Sequence, residues 1–316
     1  FFFMQTTAYE IGVRLVGSEM CIRDRMKGVI LAAGYATRFL PASKTIPKEM
    51  FPLIDRPAID FIVQEMADSG IRDILLVSSR RKKVMEDYFD REVELSSAFS
   101  KSNEFEKLEV IKPIEANIFT LRQQHMMGTG NALMLVEPFV DNEPFVVAYP
   151  DDIVLGEKPL SKQLIETWEK TGSTVLAVKQ MHEDQLSRYG VIEPENSGKI
   201  MKVKKMVEKP KQGAAPSRFV SFGRYLYTSD LFDALKTSDK NHSHRGEFTQ
   251  TEAINHLAAN GMVSAVEFEG TRYDLGEPLG FLTSAMQIGL MRPEYKKPLL
   301  DEIRRLIDLH DNADSK

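Results

Sequence analysis

Cysteine and tryptophan are nearly absent from this chain: Cys21 and Trp168 are the sole examples among 316 residues. One thiol excludes an internal disulfide framework, so nothing asks for an oxidising compartment and a cytoplasmic location is expected. A basic excess is missing too, with 41 Lys and Arg against 46 Asp and Glu and a formal net charge of −5. Nucleic acid and membrane surfaces, which attract basic proteins, are therefore not expected partners. No apolar run approaches the roughly 20 residues that cross a bilayer. The 6 histidines form no HExxH or Cys/His cluster, no Ser-His-Asp arrangement can be argued, and His242 and His244 are expected at the surface of a polar stretch. Neither a Walker A sequence nor a G-x-G-x-x-G fingerprint occurs.

Residues 1–25 have neither the basic-then-apolar order of a signal peptide nor a helix-period face. Their second half, VRLVGSEMCIRDR, reads as a translated adaptor. Met26 is the expected natural start, and the preceding segment is expected to be non-native or disordered and to lie outside the fold.

From Met26 onward, short apolar runs alternate with amphipathic stretches, which predicts an α/β fold with a mixed, mostly parallel sheet flanked by helices. Strands are predicted at 28–32, 74–77, 110–113, 118–122, 145–148 and 174–178. Ile59, Ile62, Val63 and Met66 have helical spacing, with Gly70 placed to end that helix. Further helices are predicted at 81–89, along the polar stretch to 106, and at 160–171. Past Tyr189 the chain becomes β-rich, at 191–192, 203–207 and 219–227, around the turn formers Asn196, Ser197 and Gly198. A helix at 249–260, a strand at 263–268 and a C-terminal helix at about 298–309 follow. A single domain, 26–316, is expected, with a first part at about 26–180 and a β-rich extension at about 181–290.

The stretch 29–53, VILAAGYATRFLPASKTIPKEMFPL, is the first place to look for chemistry. A loop of Ala and Gly lets phosphates approach backbone N–H groups, and Arg38 and Lys48 supply two cations suited to a triphosphate. An ordinary strand-to-helix turn with solvated cations would use the same residues. Asp151 and Asp152 follow the apolar strand at 145–148, at the strand end where open α/β sheets bind ligands. With distant Asp274 they are candidate Mg²⁺ ligands, since Mg²⁺ is commonly held by one or two carboxylates plus substrate phosphates. For Asp152 a capped turn leading into 153–156 is the expected role. Glu208 and Lys209 end another strand, where a carboxylate can accept from sugar hydroxyls and an ammonium can pair with a phosphate.

Together these pieces resemble the bacterial UTP–glucose-1-phosphate uridylyltransferases, also called UDP-glucose pyrophosphorylases. LAAGYATRFLPASKTIPKEMFPL at 31–53, RYGVIE at 188–193 and VEKP at 207–210 are the most specific parts. MEDYFD at 85–90, YPDD at 149–152, GRY at 223–225 and GEFTQTEAI at 246–254 add weaker support. The resemblance implies a Rossmann-like nucleotidyltransferase fold that binds UTP first and glucose 1-phosphate next, with Mg²⁺ as cofactor and a dimer or tetramer as assembly. It places Ala33 and Gly34 on the uracil, Arg38 and Lys48 on the phosphates and Gln123 on the nucleoside, with Gly128 and Gly130 in the turn beside the base. Asp151 and Asp274 would hold Mg²⁺. Gly190, Glu208 and Gly223 would line the glucose, and Lys209 its phosphate.

Two departures from that family are visible. Ala36 replaces the second glycine of its GxGTR loop, which binding should survive if φ stays negative there, and Asn131 stands where a histidine is frequent. The same chemistry on another pair, such as dTTP with glucose 1-phosphate, and a catalytically silent regulatory subunit that binds sugar nucleotides, are the rival readings.

Overall fold

The computed structural model describes residues 26–241 and 247–314. The expectations for residues 1–25, for His242 and His244 and for the first residue of the 246–254 motif lie outside the described residues. In chain order the first strands are β1 (Lys27–Leu31), β2 (Pro52–Leu53), β3 (Arg56–Pro57), β4 (Asp73–Ser78), β5 (Asn117–Arg122), β6 (Phe145–Ala148) and β7 (Asp152–Leu155). The second half adds β8 (Thr174–Gln180), β9 (Gly190–Pro194), β10 (Ile200–Glu208), β11 (Phe219–Tyr227), β12 (Val263–Glu267) and β13 (Thr271–Asp274).

Nine of these form one sheet in the order β5-β4-β1-β6-β11-β8-β12-β10-β9. Only β10 and β11 run against their neighbours, so the sheet is mixed and mostly of one direction. From β1 the chain moves outward to β4 and β5, then returns to β6 on the other side of β1. Strand order reverses there, which opens a crevice at the C-terminal ends of β1 and β6. The β-rich extension is continuous with this sheet through β9 and β10.

The central strands read as unbroken apolar runs because both faces are covered. Ile30, Ile74, Leu76 and Val146 point to one core, closed by the helices Ala58–Asp68 and Leu160–Thr171. Val29, Leu75, Val77 and Val147 point to the other, closed by the helices Asp230–Asn241 and Thr251–Ala259. Each fully buried aliphatic side chain of this kind contributes about 1.5–3 kcal/mol before entropy is counted. Trp168 packs against the first core. Gly70, at φ 89, ends the 58–68 helix as its position suggests.

Several local expectations are corrected. Residues 110–113 form no strand: Val110 ends the helix Phe105–Val110 and is 84% exposed, and Pro113 could not donate to a ladder. Asp152 caps no turn but opens β7, which pairs antiparallel with β13. Four helices were not predicted, the short Thr129–Met134 and Glu137–Val140 and the longer Asp230–Asn241 and Pro278–Met291, and the last helix is longer than expected, spanning Pro293–Asp314. Among the described residues no helix is long and apolar enough to cross a membrane.

Candidate active site

A cavity of about 300 Å³ opens at the ends of β1, β4 and β6, lined by Ala33, Gly34, Lys48, Gln123, Gly128 and Asp151 among others. The loop leaving β1 forms one wall, and two ion pairs hold it. Lys48, on the short 3-10 turn Lys48–Met50, sets its Nζ 2.6 Å from Oδ2 of Asp151. Beside it Glu49, 2% exposed, accepts from Nζ of Lys82 at 2.8 and 2.9 Å, and the same ammonium donates to the Ala32 carbonyl at 2.5 Å. Burial, aided by the nearby Lys48, holds the Lys82 ammonium below its ordinary pKa although Glu49 opposes this. Lys82 thus ties the end of β1 to the turn that carries Lys48.

Ala36, in the same loop, has φ 52 and ψ 41. The backbone is left-handed there, so the condition under which alanine would be harmless is not met. The left-handed conformation costs an L-residue about 1–2 kcal/mol, part of which glycine's extra unfolded-chain entropy offsets. Ala36→Gly should therefore stabilise the protein by about 0.5–1 kcal/mol in urea unfolding. A lower midpoint at unchanged slope would contradict the strain.

At the far end of the cavity the Gln123 side chain, buried at 6% exposure, donates through Nε2 to the Gly128 carbonyl at 3.3 Å and to Oδ1 of Asn131 at 3.0 Å. Gly128 has φ 105, and a Cβ on it would meet the Phe248 carbonyl oxygen at 2.3 Å. No other residue fits that turn. Gly130 lies beneath the Phe248 ring and donates its N–H to the Phe248 carbonyl at 2.9 Å, while Phe248 N–H donates to the Met127 carbonyl at 2.8 Å.

A second cavity, about 420 Å³, adjoins the first and shares Tyr149 and Asp151 with it; Arg38, Lys209, Arg272 and Asp274 face it. Arg38 donates to the Gly276 carbonyl at 3.3 Å, so it sits on this side of Asp151. Asp274 accepts from the Tyr189 hydroxyl at 3.0 Å and the Gly276 N–H at 2.9 Å, with Arg272 3.2 Å away. Burial raises its carboxyl pKa, but Arg272, the Gly276 N–H and Tyr189 together bring it below the ordinary value. Asp152 is instead pushed up by burial and by Asp151 and Asp274, against the pull of Arg272, whose Nε donates to it at 2.6 Å. Its other oxygen accepts the Gly223 N–H at 3.1 Å. A Cβ at Gly223 would come within 2.9 Å of that oxygen and 2.7 Å of the Tyr149 Cβ, so Gly223 is needed for this close approach. Below it, Arg224 grips Glu65 with two bonds of 3.0 and 2.7 Å and donates to the Asp152 carbonyl at 3.3 Å.

Residues 27–289 match the family described as "Nucleotidyl transferase". The chain belongs to that family. It is 42% identical over 288 residues to a Staphylococcus saprophyticus protein named UTP–glucose-1-phosphate uridylyltransferase 2, covering 90% of this chain and 99% of the relative. A structure titled as UTP-bound UGPase from Acinetobacter baumannii aligns with TM-score 0.79 and 31% identity, over 89% of this chain and 98% of the other. A UDP-glucose pyrophosphorylase complexed with UDP-glucose aligns at TM-score 0.75 and 34% identity, over 84% of this chain and 99% of that one. These matches agree with the Rossmann-like α/β fold and with the resemblance read from the motifs.

Of the residues singled out from the sequence, Ala33, Gly34, Lys48, Gln123 and Gly128 line the first cavity, Arg38, Lys209 and Asp274 the second, and Asp151 both, whereas Gly130, Gly190, Glu208 and Gly223 line neither. Glu208 is exposed, 4.0 Å from the Lys209 ammonium, and Gly190 lies beneath its carboxylate. Lys209 itself has φ 44, which turns the chain towards the second cavity as β10 ends. Sequence reasoning missed Lys82, Tyr189, Arg272 and the pair Glu65–Arg224. Tyr189 and Arg224 lie inside the RYGVIE and GRY motifs, and Arg272 stands two residues before Asp274 and so on the same face of its strand, whereas Lys82 and Glu65 carried no signal.

Proposed function

We propose that this protein joins UTP to glucose 1-phosphate, forming UDP-glucose and pyrophosphate. One observation carries the reading: Asp151, paired with Lys48, is shared by a cavity with nucleotide-sized dimensions and a second, cation-lined cavity. UTP would fill the first, with the uracil against Ala33, Gly34 and Gln123, and glucose 1-phosphate the second, its phosphate on Lys209.

The substrate supplies its own nucleophile, since a phosphate monoester is already largely dianionic at neutral pH. An oxygen of that phosphate forms a bond to the α-phosphorus of UTP as the bond to the bridging α,β-oxygen breaks, and the electron pair leaves with pyrophosphate. No protein base is required, so the chain's task is positioning and charge neutralisation. Lys48 and Arg38 would offset charge on the α-phosphate and the departing group, and Lys209 would hold the attacker.

The donor set suits a hard divalent cation. A Cβ at Gly276 would stand 3.0 Å from Oδ1 of Asp274 and 3.7 Å from both Oδ2 of Asp151 and Nη1 of Arg38, so two carboxylates flank one point that Arg38 also faces. We assign Mg²⁺ to Asp151 and Asp274, where it would supply charge neutralisation between two phosphates.

UTP labelled at the α-phosphate should pass its label to the sugar nucleotide, and UTP labelled at the γ-phosphate should pass it to pyrophosphate. A γ-label recovered on the sugar would refute attack at the α-phosphorus. A homo-oligomer is also proposed, because Leu282, Met291 and Ile307 on the last two helices are 57%, 60% and 53% exposed. Light scattering that finds a monomer at micromolar concentration would reject it.

A further inference from the structure

We infer that Asn131 sets the base preference of the first cavity by fixing which end of the Gln123 amide faces it; this rests on the reading that the cavity takes the base of UTP. The Gly128 oxygen is a backbone carbonyl and can only accept, so the Gln123 NH₂ group must point towards it. The second N–H is taken by Oδ1 of Asn131. Both donors are then engaged within the protein. What remains for a ligand is the Gln123 carbonyl oxygen, an acceptor, and it meets no donor among the described residues. The N–H groups of Ala33 and Gly34, on the opposite wall, likewise have no acceptor among the described residues.

The cavity therefore presents one acceptor and backbone donors. A pyrimidine with an N3–H and flanking carbonyl oxygens complements that pattern, as uracil does. Cytosine places an acceptor at N3 and an amine at C4, so it would face acceptor with acceptor. A glutamine held by Gly128 alone can exchange its ends by rotating about its last torsion, at the loss of one bond, and would then tolerate cytosine. Asn131 removes that freedom. It is a positioning residue: it acts through Gln123 and touches no substrate itself.

The test is a comparison of UTP and CTP binding to the full chain by calorimetry without sugar phosphate, followed by turnover with glucose 1-phosphate. In Asn131→Ala the ratio of UTP to CTP affinity should fall about fivefold or more, the scale of one lost hydrogen bond. Asn131→Asp keeps an acceptor towards the Gln123 amide and should hold the ratio within about twofold of the unaltered protein. The change should appear in the KM values of the two nucleotides and not in kcat with UTP. A merely structural role would weaken both nucleotides alike and leave the ratio unmoved, which would overturn the inference, as would an Asp variant as unselective as the Ala variant. If UTP binds selectively but is not turned over, the reaction assignment fails while the clamp stands.

Discussion

Lys48→Ala and Asp151→Asn should each lower kcat/KM by about thirtyfold to a thousandfold, or about 2–4 kcal/mol of transition-state stabilisation. The two side chains form a 2.6 Å pair in the wall of the first cavity, where Asp151 also borders the second, with 17% and 32% of their side-chain surface exposed. In that partly dry position a fixed charge acts more strongly on developing negative charge than it would in water. Lys48→Arg should not restore the rate, because a planar guanidinium cannot replace a compact ammonium against Asp151 and the phosphates together. Steady-state kinetics at saturating sugar phosphate checks this. Turnover near that of the unaltered protein in either variant would remove the pair from the chemistry.

Arg224→Met should cost about 3–5 kcal/mol of stability, because it strands the Glu65 carboxylate among apolar neighbours. Arg224 and Glu65 are 1% and 8% exposed. Glu65 also accepts from the backbone and hydroxyl of Ser161 at 2.9 and 2.6 Å, so this carboxylate joins the 58–68 helix to the 160–171 helix and to β11. Replacing both partners, as in Glu65→Leu with Arg224→Met, should recover much of the loss, since exchanging a buried ion pair for apolar groups is often neutral. Urea unfolding of the single and double variants distinguishes these outcomes, and equal stability of the single variant and the unaltered protein would mean the pair is solvated. Arg224 also holds the Asp152 carbonyl, so catalysis should suffer in the double variant even where stability returns.

The parts legible in the sequence are those where one local rule acts alone. β6, β11 and the helix Leu160–Thr171 emerge with the bounds that apolar runs and helical spacing predict. So does the loop after β1, whose cations and small residues share a 25-residue window. The helix Asp230–Asn241 was legible in principle, since Leu231, Ala234 and Leu235 have helical spacing and are all buried. The helix Pro278–Met291 is apolar on most sides and has no polar stripe to betray its period. Residues 110–113 look like a strand only because two β-branched residues, Val110 and Ile111, stand just before Lys112 and Pro113.

What the sequence hid is long-range pairing. Lys82 sits in the run Arg80-Arg81-Lys82-Lys83, which reads as solvated charge, yet it is 5% exposed because Glu49 waits 33 positions earlier. Asp152 looked like a cap because its partners, Gly223 and Arg272, are supplied by distant strands. Asn131 looked like a lost histidine, and only the Gln123 amide beside it gives it a role.

Pyrophosphate release, measured with each nucleoside triphosphate against glucose 1-phosphate and other sugar 1-phosphates in the presence of Mg²⁺, tests the central claim most directly. UTP with glucose 1-phosphate should be the best pair, and Asp151→Asn should abolish most of the release. Release that is equal for dTTP, or absent for every pair while UTP still binds, would contradict the account.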